Sequence, residues 1–210
     1  AETLLAKFSN MFSPMAGSIQ GVDERAQQRD LLYYGSRWGV AVAIPASIGL
    51  AVLGDSLIEL WMGADYVHPG LMALLAIGMF PQIANASAVQ ILVGMNLHGR
   101  AAIFTMVWVG LALLVGVVIF SYVGWSLNGA ALLLVAAMAP SYGIFLPGYL
   151  CRLLGVSFSS YFRRVLVLPL VTGAVLTVVL MAVRLWFAGR PLMTVLVGTL
   201  MGCGLTAAIY

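Results

Sequence analysis

Three amide side chains interrupt an apolar stretch of this chain, and they are the residues best placed to do chemistry. Gln82, Asn85 and Gln90 recur at helical spacing within Leu71–Gly94, so they fall broadly toward one side of a helix. An amide removed from water must find hydrogen-bond partners. Two interpretations stay open: the amides bond to neighbouring helices, or they line a wet cavity. Tyr142 raises the same question on another apolar stretch.

Residues for catalysis or metal binding do not come together in the sequence. It holds no Walker loop, no His-Glu-x-x-His helix and no nucleophile elbow. His68 and His98 have no Cys, His or carboxylate at ligand spacing. Cys151 and Cys203 are expected to pack as small hydrophobic side chains. We therefore predict a protein that is not an enzyme, with no catalytic residue, no metal site and no cofactor.

The elements that carry the amides are long apolar stretches with almost no charge inside them. Of the 210 residues, 62% are hydrophobic and 8% are charged, whereas a soluble chain is about 25% charged. A bilayer core about 30 Å thick takes about 20 helical residues. The predicted fold is therefore all-α, a polytopic transmembrane helix bundle with about six spans. The predicted spans are Leu31–Leu53, Leu71–Gly94, Ala101–Val123, Gly129–Leu150, Val165–Phe187 and Leu192–Tyr210.

The charges between these stretches predict which way the helices cross. All ten Lys and Arg residues except Arg184 and Arg190 lie in or beside alternate loops, whereas Asp55, Glu59 and Asp65 lie beside an opposite loop. Positive charge is retained on the cytoplasmic side of short loops. We therefore predict a cytoplasmic N-terminal segment and a cytoplasmic C-terminus. Cations spread this thinly along membrane loops do not indicate a nucleic-acid partner.

Three regions follow from this pattern. Residues 1–30 are predicted to hold an apolar helical stripe and a cytoplasmic linker, residues 31–150 four spans, and residues 151–210 a cytoplasmic loop with two terminal spans. The stripe in Ala1–Gln20 fits either an interfacial amphipathic helix or the end of an earlier span. The polar linker after it favours the second interpretation, so we expect the chain to be part of a longer protein.

Proline recurs inside the predicted spans. Each proline removes a backbone hydrogen bond and tends to kink its helix. Proline is also tolerated as ordinary architecture in membrane helices, so both hinges and kinks without function stay open as interpretations. The residues are Pro45, Pro81, Pro140, Pro147 and Pro169.

Several short strings are similar, in order and spacing, to a known family. They are Ser13-Pro14-Met15-Ala16, Tyr34-Gly35-Ser36-Arg37-Trp38, Pro45, Leu60-Trp61-Met62-Gly63-Ala64-Asp65-Tyr66, Asn85, Leu92-Val93-Gly94-Met95-Asn96-Leu97-His98-Gly99-Arg100 and Gly124-Trp125-Ser126-Leu127-Asn128-Gly129-Ala130-Ala131. The chain from about Ser13 onward resembles the C-terminal half of polysaccharide biosynthesis proteins of the lipid-linked oligosaccharide flippase type. Their exporter superfamily also holds multidrug antiporters and the peptidoglycan-precursor flippase.

The resemblance implies an architecture and an activity. Two six-helix bundles would face a central cavity, and the spans of this chain would be the last six of fourteen, without the first bundle and the start of the second. The implied activity is movement of an undecaprenyl-pyrophosphate-linked oligosaccharide across the bacterial inner membrane for polysaccharide export. Alternating access of the two bundles would carry the charged headgroup through the hydrocarbon.

The same resemblance implies roles for named residues and partners. Arg37, Arg100 and Arg152 are candidates for contact with the pyrophosphate headgroup, because arginine binds phosphate bidentately. Their alternative role is to fix topology and contact anionic lipids. The expected partners are membrane lipids, the lipid-linked oligosaccharide, and glycan polymerase and assembly proteins. The candidates for lining the cavity are Gln82, Asn85, Gln90 and Tyr142.

Two other functions fit the same sequence. The first is a cation-coupled antiporter for drugs or metabolites in the same superfamily, which would need a buried ionisable residue. The second is a membrane scaffold of a glycan assembly complex that transports nothing. A polar cavity between the helices would favour a transporter, and a solidly packed bundle would favour the scaffold.

Overall fold

The structure, a computed structural model, describes residues 24–187 and 189–209, with the backbone alone for residues 24, 25 and 207–209. The stripe expected in Ala1–Gln20 lies outside the described residues. The described part is built from helices in the order α1 (Glu24–Met62), a 3-10 turn (Ala64–Tyr66), α2 (Leu71–Ala84), α3 (Ala86–Gly94), α4 (His98–Val123), α5 (Leu127–Met138), a π-helical segment (Ala139–Phe145), α6 (Leu146–Leu153), α7 (Phe158–Trp186) and α8 (Pro191–Ile209).

The predicted all-α bundle is confirmed, with two of its spans interrupted. In the described part of the chain, five helical stretches are long and apolar enough to cross a membrane. One of them is the pair α2–α3, and another is the series α5, π segment and α6. The sixth predicted span is α8, a shorter apolar helix over its described side chains. These helices indicate a membrane protein.

Helix α1 lies at the centre of the bundle. It packs against α2, α3, α7 and α8. Its 39 residues extend about 58 Å at 1.5 Å per residue, so α1 is longer than a hydrocarbon core of about 30 Å is thick. It begins at Glu24 rather than at the predicted Leu31, so Glu24–Asp30 of the expected linker continue the helix beyond its apolar part.

Small residues let α1 approach its neighbours closely. A Cβ placed on Gly39 would lie 2.6 Å from the backbone oxygen of Ala84 at the end of α2, so only glycine fits there. Near the other end of α1, Gly54 packs in the same way on the side chain of Met72. Lipid tails are as apolar as the helices, and close packing of this kind therefore carries much of the association.

Helix α4 lies at the edge of the bundle. Ala101 and Gly116 are its only buried residues in the described chain, and apolar side chains cover the rest of its surface. A helix that is apolar on all sides, and that the rest of the protein leaves uncovered, is suited to face lipid. At one end, Gly116 packs against Leu133 of α5, and Gly129 of α5 packs against Phe120 of α4.

One end of the bundle, called here the acidic end, carries Asp55, Glu59 and Asp65. Arg184 of α7 lies at this end as well, where its Nη2 atom donates to Asp55 Oδ2 at 3.1 Å and its Nη1 atom donates to the Val52 carbonyl at 3.0 Å. One of the two arginines that break the charge rule is therefore neutralised by a carboxylate.

The other end, called here the basic end, carries Arg29, Arg100, Arg152, Arg163 and Arg164. Arg29 ties the first turns of α1 to the end of α6, because its Nε atom donates to the Leu154 carbonyl at 2.6 Å. Gly155 follows with a φ of +64°, a conformation that favours glycine. The turn is closed by the Val156 amide, which donates to the Cys151 carbonyl at 2.8 Å.

We predict that Gly39→Ala lowers the thermal stability of the protein in detergent, because the added methyl group would press on the Ala84 backbone. The cost expected for overpacking is about 1–3 kcal/mol. Gly49→Ala, on the same helix, is the matched control because a Cβ there meets nothing within 4 Å. Equal melting temperatures of the two variants, measured by circular dichroism, would contradict the close contact between α1 and α2.

Candidate functional site

A break between α2 and α3 places an amide in the middle of the bundle. Pro81 lacks a backbone N–H, so the helix has one bond fewer in its last turn. Asn85 departs from helical geometry at φ −103° and ψ 14°, and its backbone N–H and its Nδ2 atom both donate to the Pro81 carbonyl at 3.1 Å. Its side chain is 8% exposed. The buried Asn85 side chain thus hydrogen-bonds back to the helix at the break.

The π segment lies directly opposite this break. Pro140 is near its start, and a π turn leaves backbone carbonyls without their usual helical partners. The carbonyl of Tyr142 accepts a hydrogen bond from Asn85 Nδ2 at 2.9 Å. Pro81 and Gly143 pack together beside this bond. A single amide therefore joins two irregular helices.

Tyr161 of α7 completes what we call the polar cluster: Asn85, the Tyr142 carbonyl, Tyr161 and Ser36. The Tyr161 hydroxyl donates to Asn85 Oδ1 at 3.4 Å, and the hydroxyl of buried Ser36 lies beside it, outside hydrogen-bond geometry. The Tyr33 ring lies 6.3 Å from the Tyr161 ring, and the Arg164 guanidinium lies 5.4 Å over Tyr33. Contacts thus run from the basic end to the buried amide.

The predicted amide face is divided by the helix break. Asn85 is buried in the polar cluster, whereas Gln82 on α2 and Gln90 on α3 are half-buried. Tyr142 takes part through its backbone carbonyl rather than its hydroxyl. Of the four residues proposed to line a cavity, the structure therefore brings Asn85 and Tyr142 into direct contact.

The three predicted headgroup arginines lie on three different elements. Arg37 is on α1, Arg100 is in the first turn of α4, and Arg152 is in the last turn of α6. All three are exposed. The contacts that define the basic end come instead from Arg29 and Arg164.

An apolar groove, called here the α1–α8 groove, runs along the face of α1 beside α8. Its volume is about 740 Å³, and it extends along α1 from Trp38 to Leu57, about 28 Å at 1.5 Å per residue. Gly49 leaves open space in its wall. Arg37 precedes Trp38 and lies one helical turn before Ala41, and both of these residues line the groove. Arg37 itself does not line the groove, but it lies beside these two lining residues at this end of α1.

Sequence reasoning missed Tyr161, Ser36 and Arg29. Tyr161 stands two residues before the pair Arg163-Arg164, in a stretch predicted to be a loop, and it lies instead inside α7. The one sequence signal that could have identified Tyr161 is the presence of a polar side chain in the first turns of an apolar helix. Nothing in the sequence pairs it with Asn85, because the two are distant along the chain.

Comparisons with protein-family models, with curated proteins and with solved structures found no match for this chain. The features of the described structure that bear on function are the groove, the arginines and the polar cluster.

We predict that Asn85 and Tyr161 are energetically coupled. A double-mutant cycle of Asn85→Ala and Tyr161→Phe is expected to give a coupling of about 0.6 kcal/mol, and at most about 1.7 kcal/mol, as for other buried hydrogen bonds in membrane proteins. Asn85→Ala alone should cost more than Tyr161→Phe, because it also removes the bond to the Tyr142 carbonyl. The measurement is reversible unfolding in mixed micelles.

Tyr149→Phe provides the control for this cycle. Tyr149 is half-buried and its ring stacks on Phe145, and the hydrogen bonds of Asn85 in the described structure do not involve it. Its coupling to Asn85→Ala should be zero within error. A coupling equal to that of Tyr161 would show that the effect is not specific to the hydrogen bond.

Proposed function

We propose that this chain is the C-terminal portion of a flippase that moves an undecaprenyl-pyrophosphate-linked oligosaccharide across the bacterial inner membrane. The proposal rests on a membrane bundle with a long apolar groove and on the family resemblance of the sequence. The observation that carries it is the position of Arg37 at one end of the α1–α8 groove.

The groove suits the lipid tail of such a substrate. Its lining is apolar apart from Thr199, Thr206 and Cys203 on α8. Its length of about 28 Å along α1 is close to the thickness of the hydrocarbon core, about 30 Å. A volume of about 740 Å³ is also within the usual range of ligand sites, roughly 300–1,000 Å³. An isoprenoid chain can lie in this groove without losing its apolar surroundings.

Arg37 suits the pyrophosphate. An exposed guanidinium next to a tail channel can bind the phosphate oxygens bidentately while the tail stays in the groove. Arg100 and Arg152 at the basic end would attract the same headgroup at longer range. The sugar must then pass through a polar route shared with a first bundle.

This function requires the basic end to face the cytoplasm, where the substrate is made. Single cysteines at His68→Cys and Ser159→Cys, in a background of Cys151→Ala and Cys203→Ala, test this orientation. His68 lies at the acidic end and Ser159 at the start of α7, and both are exposed. In intact cells an impermeant maleimide should label His68→Cys alone, and permeabilised cells should label both. The reverse pattern would contradict the proposed topology.

The transport test uses the full-length gene in its host. Deleting the gene should abolish the surface polysaccharide and trap lipid-linked intermediates on the cytoplasmic leaflet. Arg37→Ala should lower complementation by about tenfold to a hundredfold, the effect expected from losing a charged hydrogen bond. Arg37→Lys should recover part of the activity. Normal polymer and intermediates after deletion would favour the antiporter, and drug-efflux assays would then follow.

The groove is tested separately from the arginine. Gly49→Leu fills the groove at a position where an added Cβ meets nothing within 4 Å, so it should block transport without unfolding the protein. Gly110→Leu on α4 is the matched control, because its Cβ also meets nothing and it faces lipid. Equal complementation by both variants would exclude the groove as a substrate path.

A further inference from the structure

At the acidic end, the first half of each interrupted span packs against the other. These halves are α2 (Leu71–Ala84) and α5 (Leu127–Met138), and the pair is called here the arm. They contact each other along their length, and Gly78 of α2 packs directly against Val135 of α5. The other halves of the same two spans, α3 and α6, contact each other instead. The chain therefore changes packing partners at the Asn85 break and at the π segment.

Helices α3 and α6, the other halves of the two interrupted spans, belong to a well-packed core at the basic end. This core joins α1, α3, α6 and α7 through buried side chains, and the arm reaches it near the break through Ala84, with Phe80 and Ile83 packed against it. A second, smaller core at the acidic end joins α1, α7 and α8, and it includes no residue of the arm. Apart from the basic-end core, the arm contacts α1 most extensively, through α2, and α4 through α5. The side chains of the basic-end core that are almost completely buried include Leu32, Ile91, Leu92, Leu150, Leu154 and Val165.

A cleft of about 400 Å³ separates the arm from α7. Ile77 and Phe80 of α2 form one wall, and small residues of α7, Gly173 and Ala174, form part of the other. The floor is a face of α1 near Ser47, distinct from the face that forms the α1–α8 groove. Leu170 and Thr177 complete the α7 wall, and the space between the two walls is the room that a closing movement needs.

We propose that the arm pivots at the Asn85 break and the π segment and closes the cleft against α7, with the polar cluster holding the open position. Irregular helix turns at proline and at π segments are the usual sites of bending. Two of them lie face to face here, joined by the Asn85–Tyr142 bond. At the break, Gly39 of α1 lies against the Ala84 backbone of α2, so the pivot rests on α1.

The polar cluster is the element that sets the balance between the two positions. Asn85 bonds to the π segment on one side and receives the Tyr161 hydroxyl on the other. It therefore fixes the pivot relative to α7. Ser141 in the π segment is buried, and its hydroxyl has no hydrogen-bond partner within the described structure. A change in the conformation of this segment would allow that hydroxyl to form a hydrogen bond. Weakening the cluster should favour the closed position.

The experiment measures distances between spin labels on the chain in lipid nanodiscs. Labels at Leu132 on the arm and Val178 on α7, both exposed and outside the cleft, report closure. The distance distribution should show a major long component and a minor short one. Asn85→Ala should raise the ratio of short to long about threefold to tenfold, and Tyr161→Phe should raise it by less. Ala174→Trp, a wedge in the cleft, should remove the short component.

A second label pair shows whether the arm moves as a unit. Labels at Leu132 and at Leu75, which does not line the cleft, both lie on the arm, so their distance should stay the same in every variant. A single Leu132–Val178 distance that neither Asn85→Ala nor Tyr161→Phe changes would overturn the pivot. A change within the arm would overturn it too. Because the readout is a distance, it is independent of whether the protein flips the proposed substrate.

Discussion

The requirement that every backbone polar group away from water be paired governs this structure. Regular helices meet it by themselves, but two of the spans here depart from regular helix. Asn85 resolves both departures at once, since it donates to the carbonyl of Pro81 and to that of Tyr142. An apolar residue at this position would leave the Tyr142 carbonyl without this donor. The polar cluster is thus needed by the irregular backbone itself, apart from any role in function.

Packing divides the bundle into a firm part and a looser part. The basic end combines a large apolar core with the Arg29–Leu154 bond, whereas the acidic end is held by a small core and by the Arg184–Asp55 ion pair. A half-exposed ion pair of this kind contributes at most about 1 kcal/mol. Local stability therefore decreases from one end to the other, and the pivot lies where the two parts meet.

The groove and the cleft occupy different faces of α1, and under the proposed function they would serve different parts of a transport cycle. The groove is long, apolar and marked by Arg37 at one end, as a site for an amphiphilic lipid needs to be. The cleft is shorter and lies beside the pivot, as a space for movement needs to be. Helix α1 can connect the two because α2, α7 and α8 all pack against it, and Pro45 lies within the part that lines the groove.

The sequence alone determined the class of the protein and the approximate position of each span, because hydrocarbon thickness sets the length of an apolar helix. It also identified Asn85 as an amide that needs partners, since that need is a property of the residue itself. Which partners it found was decided by tertiary structure. The π segment has no sequence periodicity of its own, and Tyr161 meets Asn85 only because α7 crosses beside the break. The groove and the cleft depend in the same way on the distances between neighbouring helices. Those distances are set by contacts between residues far apart in the chain, such as Gly39 with Ala84 and Gly78 with Val135.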